Sequence, residues 1–206
     1  CRIKGLDVIG TGDALHPEWR RLWEPYLEND PGITVVPQTE VEDERRVHHV
    51  ILMETLSQFA ELQERLTPYC SHLETAGRPH VYASGETLAR EVHALGGLIG
   101  PAHAFTPWTS LFAAFEKPSD CYRSEKFDFC ELGLSADSTY GAGIAEFAET
   151  PFLTNSDAHS QYPAKLGREF TRLDVSAKTP KAVLEAVSSG SITLNAGFFP
   201  EEGKYN

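Results

Sequence analysis

Histidines and carboxylates in this chain gather at one kind of place, just after or at the end of short apolar runs. Asp13 and His16 follow the run Leu6-Asp7-Val8-Ile9-Gly10, and Glu40 closes a run that begins at Ile33. His48 and His49 lead into Val50-Ile51-Leu52, and His103 follows Leu98-Ile99-Gly100. Glu131 lies within 127–134, and Asp157 and His159 come at the end of Phe152-Leu153-Thr154-Asn155. Carboxylates crowded into one cleft repel one another, and some take up protons. A divalent cation removes that repulsion and holds the ligands in return. Mixed imidazole and carboxylate donors suit zinc, manganese or iron better than magnesium or calcium. Asp157-Ala158-His159, two donor types at i and i+2 after a strand, is the most specific of these signals. A lone strand-end His or Asp is more often a cap or a structural hydrogen-bonding residue, so the inference rests on the set.

Neighbouring strand residues face opposite ways, so His48 and His49 cannot both point inward. The apolar context of Val50-Ile51-Leu52 favours His49. The same alternation turns Cys130 away from the face that Glu131 presents. His72, His80 and His93 fall in loop or helix patterns and read as solvated. The charged 40–46 stretch, Glu40 apart, reads as a solvated turn.

Bringing such groups to one rim requires strands alternating with helices, and the sequence supplies that alternation. Strands are expected over 6–10, from 33 toward 40, and over 45–53, 98–100, 127–134, 152–155 and 192–194. Pro17 opens a helix with Trp19, Leu22, Trp23, Tyr26 and Leu27 on one apolar face. Asn29-Asp30-Pro31-Gly32 is a turn. Thr55-x-x-Gln58 is a capping box before a helix with Leu56, Phe59, Leu62 and Leu66 as its buried stripe. Leu88, Val92 and Leu95 mark a helix closed by Gly96-Gly97. Further helices are expected over 140–149 and from Thr179-Pro180 to before Gly190. This pattern predicts a parallel α/β sheet with crossover helices, whose strand ends carry the site. Gly10-Thr11-Gly12-Asp13-Ala14-Leu15 lacks the third glycine of a dinucleotide loop.

Composition narrows the classes further. The 206 residues include 18 Lys and Arg against 30 Asp and Glu, a net charge of −12, with 41% hydrophobic and 23% charged residues. These values exclude a disordered or collagen-like chain, and the length suits one domain or two small ones. The acid excess argues against a surface that coats DNA, while leaving room for a local basic groove. Four scattered cysteines with no CxxC make no zinc ribbon, and structural disulfides are not expected in a reducing compartment. No apolar run approaches the ~18–20 residues that span a bilayer. The opening Cys1-Arg2-Ile3-Lys4 has no signal-peptide pattern. A soluble cytoplasmic protein with no membrane partner is the expectation.

Taken in order, the segments resemble the PHP (polymerase and histidinol phosphatase) family of metal-dependent phosphoesterases. Gly10-Thr11-Gly12-Asp13-Ala14-Leu15-His16-Pro17 stands where that family has Thr-Asp-His. Thr39-Glu40-Val41 resembles its ligand-bearing Glu segment, and His49-Val50-Ile51-Leu52 its His-Leu-Leu run. Pro101-Ala102-His103 resembles Ala-His-Pro, and Asn155-Ser156-Asp157-Ala158-His159 resembles Gly-Ser-Asp-Ala-His. Longer blocks are similar to the endonuclease Q branch: 11–19, 100–109, 131–137 and 166–170. The resemblance implies a distorted (βα)7 PHP-type barrel formed by a single 1–206 domain. It also implies two or three divalent ions (zinc, manganese or iron, with magnesium the further option) on Asp13, His16, Glu40, His49, His103, Asp157 and His159. The partner it implies is DNA carrying a deaminated base or an abasic site, cut on the 5′ side of the lesion.

Asp157, His159 and His103 are the expected catalytic residues. Arg168 is the expected phosphate clamp, set against a surface ion pair. Trp108 and Phe105 are set between stacking on a displaced base and simple packing. The family's opening His-x-His pair has no counterpart upstream of Lys4-Gly5-Leu6. The cysteine-rich zinc module of the branch is absent beyond Gly203-Lys204-Tyr205. The expectation is therefore a shortened chain lacking its first strand. A small phosphate ester or nucleotide is the alternative substrate, which the acidic balance favours, and a non-catalytic scaffold is the third reading.

Overall fold

In a computed structural model, residues 1–29, 32–134, 136–160 and 162–202 are described. Asp30 and Pro31 of the expected turn, Ser135 of the 131–137 block and Gly203-Lys204-Tyr205 lie outside them. The first strand, β1 (Val8–Gly10), runs parallel to β2 (Thr34–Val36), with Ile9 opposite Val35. Between them lies α1 (Pro17–Glu28), which Pro17 opens as expected. Its apolar face is only partly covered: Trp19, Leu22 and Tyr26 remain 39%, 53% and 54% exposed.

The strand expected from 33 toward 40 breaks at Pro37, which has no N–H to give a ladder. Its second half is β3 (Gln38–Glu42), and β4 (His48–Leu52) follows. Residues 43–47 are consumed by a turn, so β4 begins three residues later than the sequence pattern suggested. Asp43 Oδ1 accepts the N–H groups of Arg45 and Val47 at 2.8 Å each, and Arg46 takes a left-handed φ of 66°. A turn that short permits only antiparallel pairing, because a parallel partner needs a long crossover. β3 and β4 accordingly pair antiparallel, and β5 (Leu98–Pro101), reached by a long connection, also pairs antiparallel to β4, which corrects the expectation of parallel strands throughout.

Two helices back this sheet. The Thr55–Gln58 capping box opens α2 (Leu56–Leu66), which buries Phe59, Leu62 and Leu66. Ser84 caps α3 (Gly85–Ala94), which buries Leu88 and Val92. They close on Val41, Ile51 and Ile99 in the main core. Gly96 then turns the chain into β5 with a φ of 72°, a conformation glycine adopts without a Cβ penalty.

After β5 come two short helices, α4 (Leu111–Ala114) and α5 (Pro118–Tyr122). β6 (Cys130–Glu131) and β7 (Phe152–Leu153) pair in parallel. The single helix expected over 140–149 is instead α6 (Ser138–Ala142), capped by Gly143, and a separate 3-10 turn over Ala145–Phe147. A strand not read from the sequence, β8 (Phe170–Leu173), pairs antiparallel with β9 (Ile192–Ala196). Between them α7 (Pro180–Ser188) packs Val183 and Leu184 beside Val36 of β2. The fold is mixed α/β, and the described strands fall into four small sheets that do not close a barrel.

Candidate metal centre

The site grows out of the β3–β4–β5 register. Glu42 faces His48 across the ladder, and β3 alternation puts Glu40 on the same face two residues back. Beyond the end of β5, Ala102 N–H donates to the His48 carbonyl at 2.9 Å and brings His103 alongside. His48 Nδ1 lies 3.0 Å from Glu40 Oε1 and 3.2 Å from His103 Nε2. The three donor atoms are within 4.8 Å of one another.

His103 is held hard in place. Its φ of 31° is unusual for a residue with a Cβ. Its N–H donates to Glu131 Oε2 at 2.9 Å, and the other Glu131 oxygen accepts from Asn155 Nδ2 at 2.7 Å. Gly133 clears the space behind, since a Cβ there would stand 2.8 Å from the His103 Cβ. Cys130 points into the core, so the expected alternation with Glu131 is present.

A second row of groups orients the first. His48 Nε2 lies 3.1 Å from Glu42 Oε2, while Glu42 Oε1 is 2.7 Å from His80 Nδ1 and 3.5 Å from Arg46 Nε. His80 is thus tied to this carboxylate, in place of the solvated role expected for it. Arg78 Nη1 donates to Glu40 Oε1 at 3.0 Å.

The electrostatics follow from this packing. Burial pushes the Glu40 carboxyl up, but the hydrogen bond and charge of His48, with His103 and Arg78, outweigh it and hold it at about 2. Burial lowers His103, against the opposing pull of Glu40. Burial lifts Glu131 to about 7, with the charges of Glu40 and Asp157 adding to it.

The remaining sequence-predicted ligands flank this cluster. Asp13 and His16 share a cleft of about 280 Å³ with Trp19 and Gly77. Arg20 Nη1 fixes that loop by donating to the carbonyls of Ala14 and Leu15. Asp13 is raised by burial and by Glu40, and lowered by His16, Arg78 and His159, so all of these share its electrostatic surroundings. Asp157, in a left-handed φ of 45°, acts electrostatically on both His103 and Glu131. His159 Nδ1 lies 3.5 Å from Asp157 Oδ1.

This donor set fits a divalent cation. Two ring nitrogens 3.2 Å apart cannot both aim lone pairs at each other without a proton or cation between them. The buried Nδ1 of His16 has no hydrogen-bond partner.

His49 does not join the cluster. It faces the opposite side of β4, with Nε2 3.1 Å from Asp43 Oδ2 and Nδ1 2.8 Å from Tyr122 Oη. Cys121 is close enough to these two to make a second group of donors, all buried. Burial, with the Asp43 charge behind it, pushes the Cys121 thiol well up, and both His49 nitrogens already have partners. It is His48, rather than the favoured His49, that stands beside Glu40 and His103.

Of the expected substrate contacts, Phe105 is engaged in packing. It stacks on Phe112 at 5.0 Å and meets Phe147 and Tyr140 edge-on, so its ring is not offered to a base. Trp108 is 60% exposed. Arg168 Nε donates to the Ser156 carbonyl at 2.9 Å and so braces the loop that presents Asp157.

No family model matches the chain. A crystal structure of the lesion-specific endonuclease Q of Pyrococcus furiosus superposes with a TM-score of 0.93 and 42% identity, over 98% of this chain and 53% of that one. The chain has the endonuclease Q fold. A second endonuclease Q structure, in complex with a 27-mer duplex carrying an abasic lesion at its active site, matches equally, over 54% of its length. An uncharacterised Bacillus subtilis protein, YqxK, is 31% identical over 98% of this chain and 57% of its own. An uncharacterised Methanocaldococcus jannaschii protein is 43% identical over 110 residues, 53% of this chain and 14% of that protein. The chain thus spans about half the length of the endonuclease Q structures it matches. A protein from Bifidobacterium adolescentis shares the fold at a TM-score of 0.59 and 15% identity.

Sequence reasoning set His48 second to His49, read His80 as solvated, and did not single out Glu42 or Arg78. A usable signal was present for Glu42, since Glu40 and Glu42 share one face of any strand through them. His48 was legible only with the register of β4 against β3.

Proposed function

We propose that the chain forms the metal-dependent hydrolytic part of a cytoplasmic DNA endonuclease, cutting 5′ to a deaminated base or abasic site. The convergence of Glu40, His48 and His103 carries this reading, supported by 42% identity to a lesion-specific endonuclease. Glu40, His48 and His103 would hold one ion. Asp13, His16, Asp157 and His159 would complete a site for two or three, with zinc, manganese or iron suited to the imidazole-rich donors. Bound divalent ions would supply charge stabilisation at a phosphoryl oxygen and a water acidified from ~15.7 to about 7. The chain's own residues hold the geometry. Glu131 fixes the His103 backbone, Glu42 orients the His48 ring, and Arg168 braces the Asp157 loop. No described helix is long and apolar enough to cross a membrane.

The test uses full-length protein and a duplex with one uracil or abasic site. Asp157→Ala abolishes metal-dependent cleavage and bound metal while thermal melting stays near the parent value. Retained cleavage in a folded Asp157→Ala variant overturns the assignment. The net charge of −12 favours one second reading, a phosphatase for small phosphate esters. Turnover of a nucleoside monophosphate with intact lesion DNA would select it. No turnover of either, with metal bound, would select a non-catalytic scaffold.

A further inference from the structure

On the face of β4 turned away from His48, three donors of different kinds meet in the core. Asp43 comes from the β3–β4 turn, His49 from β4 and Cys121 from α5. One donor atom of each lies within 4.8 Å of the others. Asp43 and His49 are 0% exposed and Cys121 is 2% exposed. Gly85, the first residue of α3, permits this approach: a Cβ there would stand 2.6 Å from Cys121 Sγ and 3.2 Å from His49 Cε1.

The contacts around the group aim its donors at one another. Asp43 spends Oδ1 on the N–H groups of Arg45 and Val47, and its Oδ2 stands 3.1 Å from His49 Nε2. Tyr122 Oη lies 2.8 Å from His49 Nδ1. With the ring's one proton on Nδ1 and donated to Tyr122 Oη, the Nε2 lone pair faces Asp43, which is how a histidine is held for a metal. Sulfur, nitrogen and carboxylate oxygen together are zinc's donor set, whereas calcium and magnesium take oxygen alone. Charge agrees with that choice. A coordinated thiol gives up its proton outright, however strongly burial opposes ionisation of the free thiol. One carboxylate, one thiolate and one neutral imidazole then balance a divalent cation to zero net charge in the core, with the thiol proton released to solvent. Three protein ligands and a water make a coordination that zinc accepts.

We propose that Asp43, His49 and Cys121 hold a zinc ion, separate from the phosphodiesterase centre, that clamps the β3–β4 turn to α5. The inference is independent of the reaction assigned to that centre. The clamp binds the opposite face of the strand that carries His48, so it holds the β3–β4 pairing without touching substrate.

The experiment counts zinc in full-length protein by plasma mass spectrometry after desalting, with thermal melting to confirm folding. Cys121→Ser and Cys121→Ala each carry about one zinc per chain fewer than the parent. Cys70→Ser, which alters a buried cysteine outside the group, carries as many as the parent. The proteins are then reloaded with Co²⁺, whose sulfur-to-metal charge-transfer absorption reports thiolate ligation. Cys121→Ser and Cys121→Ala each lose part of that absorption. His103→Gln loses metal from the phosphodiesterase centre, which has no cysteine, and keeps the parental absorption. A parental zinc count in both folded Cys121 variants overturns the proposal, as does a parental cobalt absorption in both. If His103→Gln loses metal while the Cys121 variants match the parent, the clamp falls and the centre stands. If the Cys121 variants lose zinc and absorption while His103→Gln keeps its full metal count, the clamp stands and the centre falls.

Discussion

Glu42 offers the sharpest test of how the metal centre is organised, because it orients a proposed ligand without being one. Its Oε2 lies 3.1 Å from His48 Nε2, and its Oε1 is pinned 2.7 Å from His80. With the proton on Nε2 bonded to Glu42, the Nδ1 lone pair faces Glu40 and His103. Replacing Glu42 by Ala removes a hydrogen bond to a charged group, worth roughly 1.5–3 kcal/mol. At about 1.4 kcal/mol per tenfold, that is roughly a 10- to 150-fold loss of metal affinity. The range agrees with the roughly 10- to 100-fold cost typical of losing a group that supports a ligand. Glu42→Gln keeps an acceptor oxygen but loses the charge, which halves the energy and predicts roughly a 3- to 12-fold loss. The assay is calorimetric titration of metal-stripped full-length protein with Mn²⁺ or Zn²⁺, with thermal melting to confirm folding. Glu61→Ala removes a carboxylate that pairs with Arg65 on α2, and it leaves metal affinity unchanged. A folded Glu42→Ala variant with the parental metal Kd refutes the reasoning.

Two further outcomes follow from the same geometry. Gly77→Ala puts a Cβ 2.7 Å from Asp13 Oδ2, so the carboxylate must move; metal affinity by the same titration falls about tenfold while the melting temperature changes little. The His93–Asp128 pair, 2.9 Å apart, makes stability depend on pH. Its hydrogen bond to Asp128 raises His93 against the effect of burial, so its contribution is complete below the unfolded histidine value and is lost as pH rises through the folded one. Burial raises Asp128, but His93 and the Ile99 N–H outweigh it and lower it on balance, so its share is lost only as pH falls through that depressed value. His93→Ala therefore costs roughly 1.5–3 kcal/mol in urea unfolding near pH 5.5 and clearly less near pH 8.5. An equal cost at both values would refute the pairing.

What could be read from the sequence, and what could not, divides by the range of the interactions involved. The Thr55–Gln58 box, Pro17 at the start of α1 and Gly96 at the end of α3 are local, and all appear where residue chemistry places them. The position of His103 beyond β5 and of Asp157 beyond β7 was equally legible, because each follows its own apolar run. The choice between His48 and His49 was not, and the reason is physical. β4 is buried on both faces, with His48 3% and His49 0% exposed, so hydrophobic context carries no information about direction. Direction is fixed by pairing with β3, and that pairing is fixed by the turn in which Asp43 binds the backbone of Arg45 and Val47. The same side chain then uses its other oxygen to hold His49 on the far face. One aspartate in a stretch that reads as a solvated turn therefore shapes two things: the antiparallel pairing of β3 with β4, and which of two adjacent histidines meets Glu40 and His103. Periodicity assigns residues to faces within a strand. Which face meets the site depends on a contact between strands.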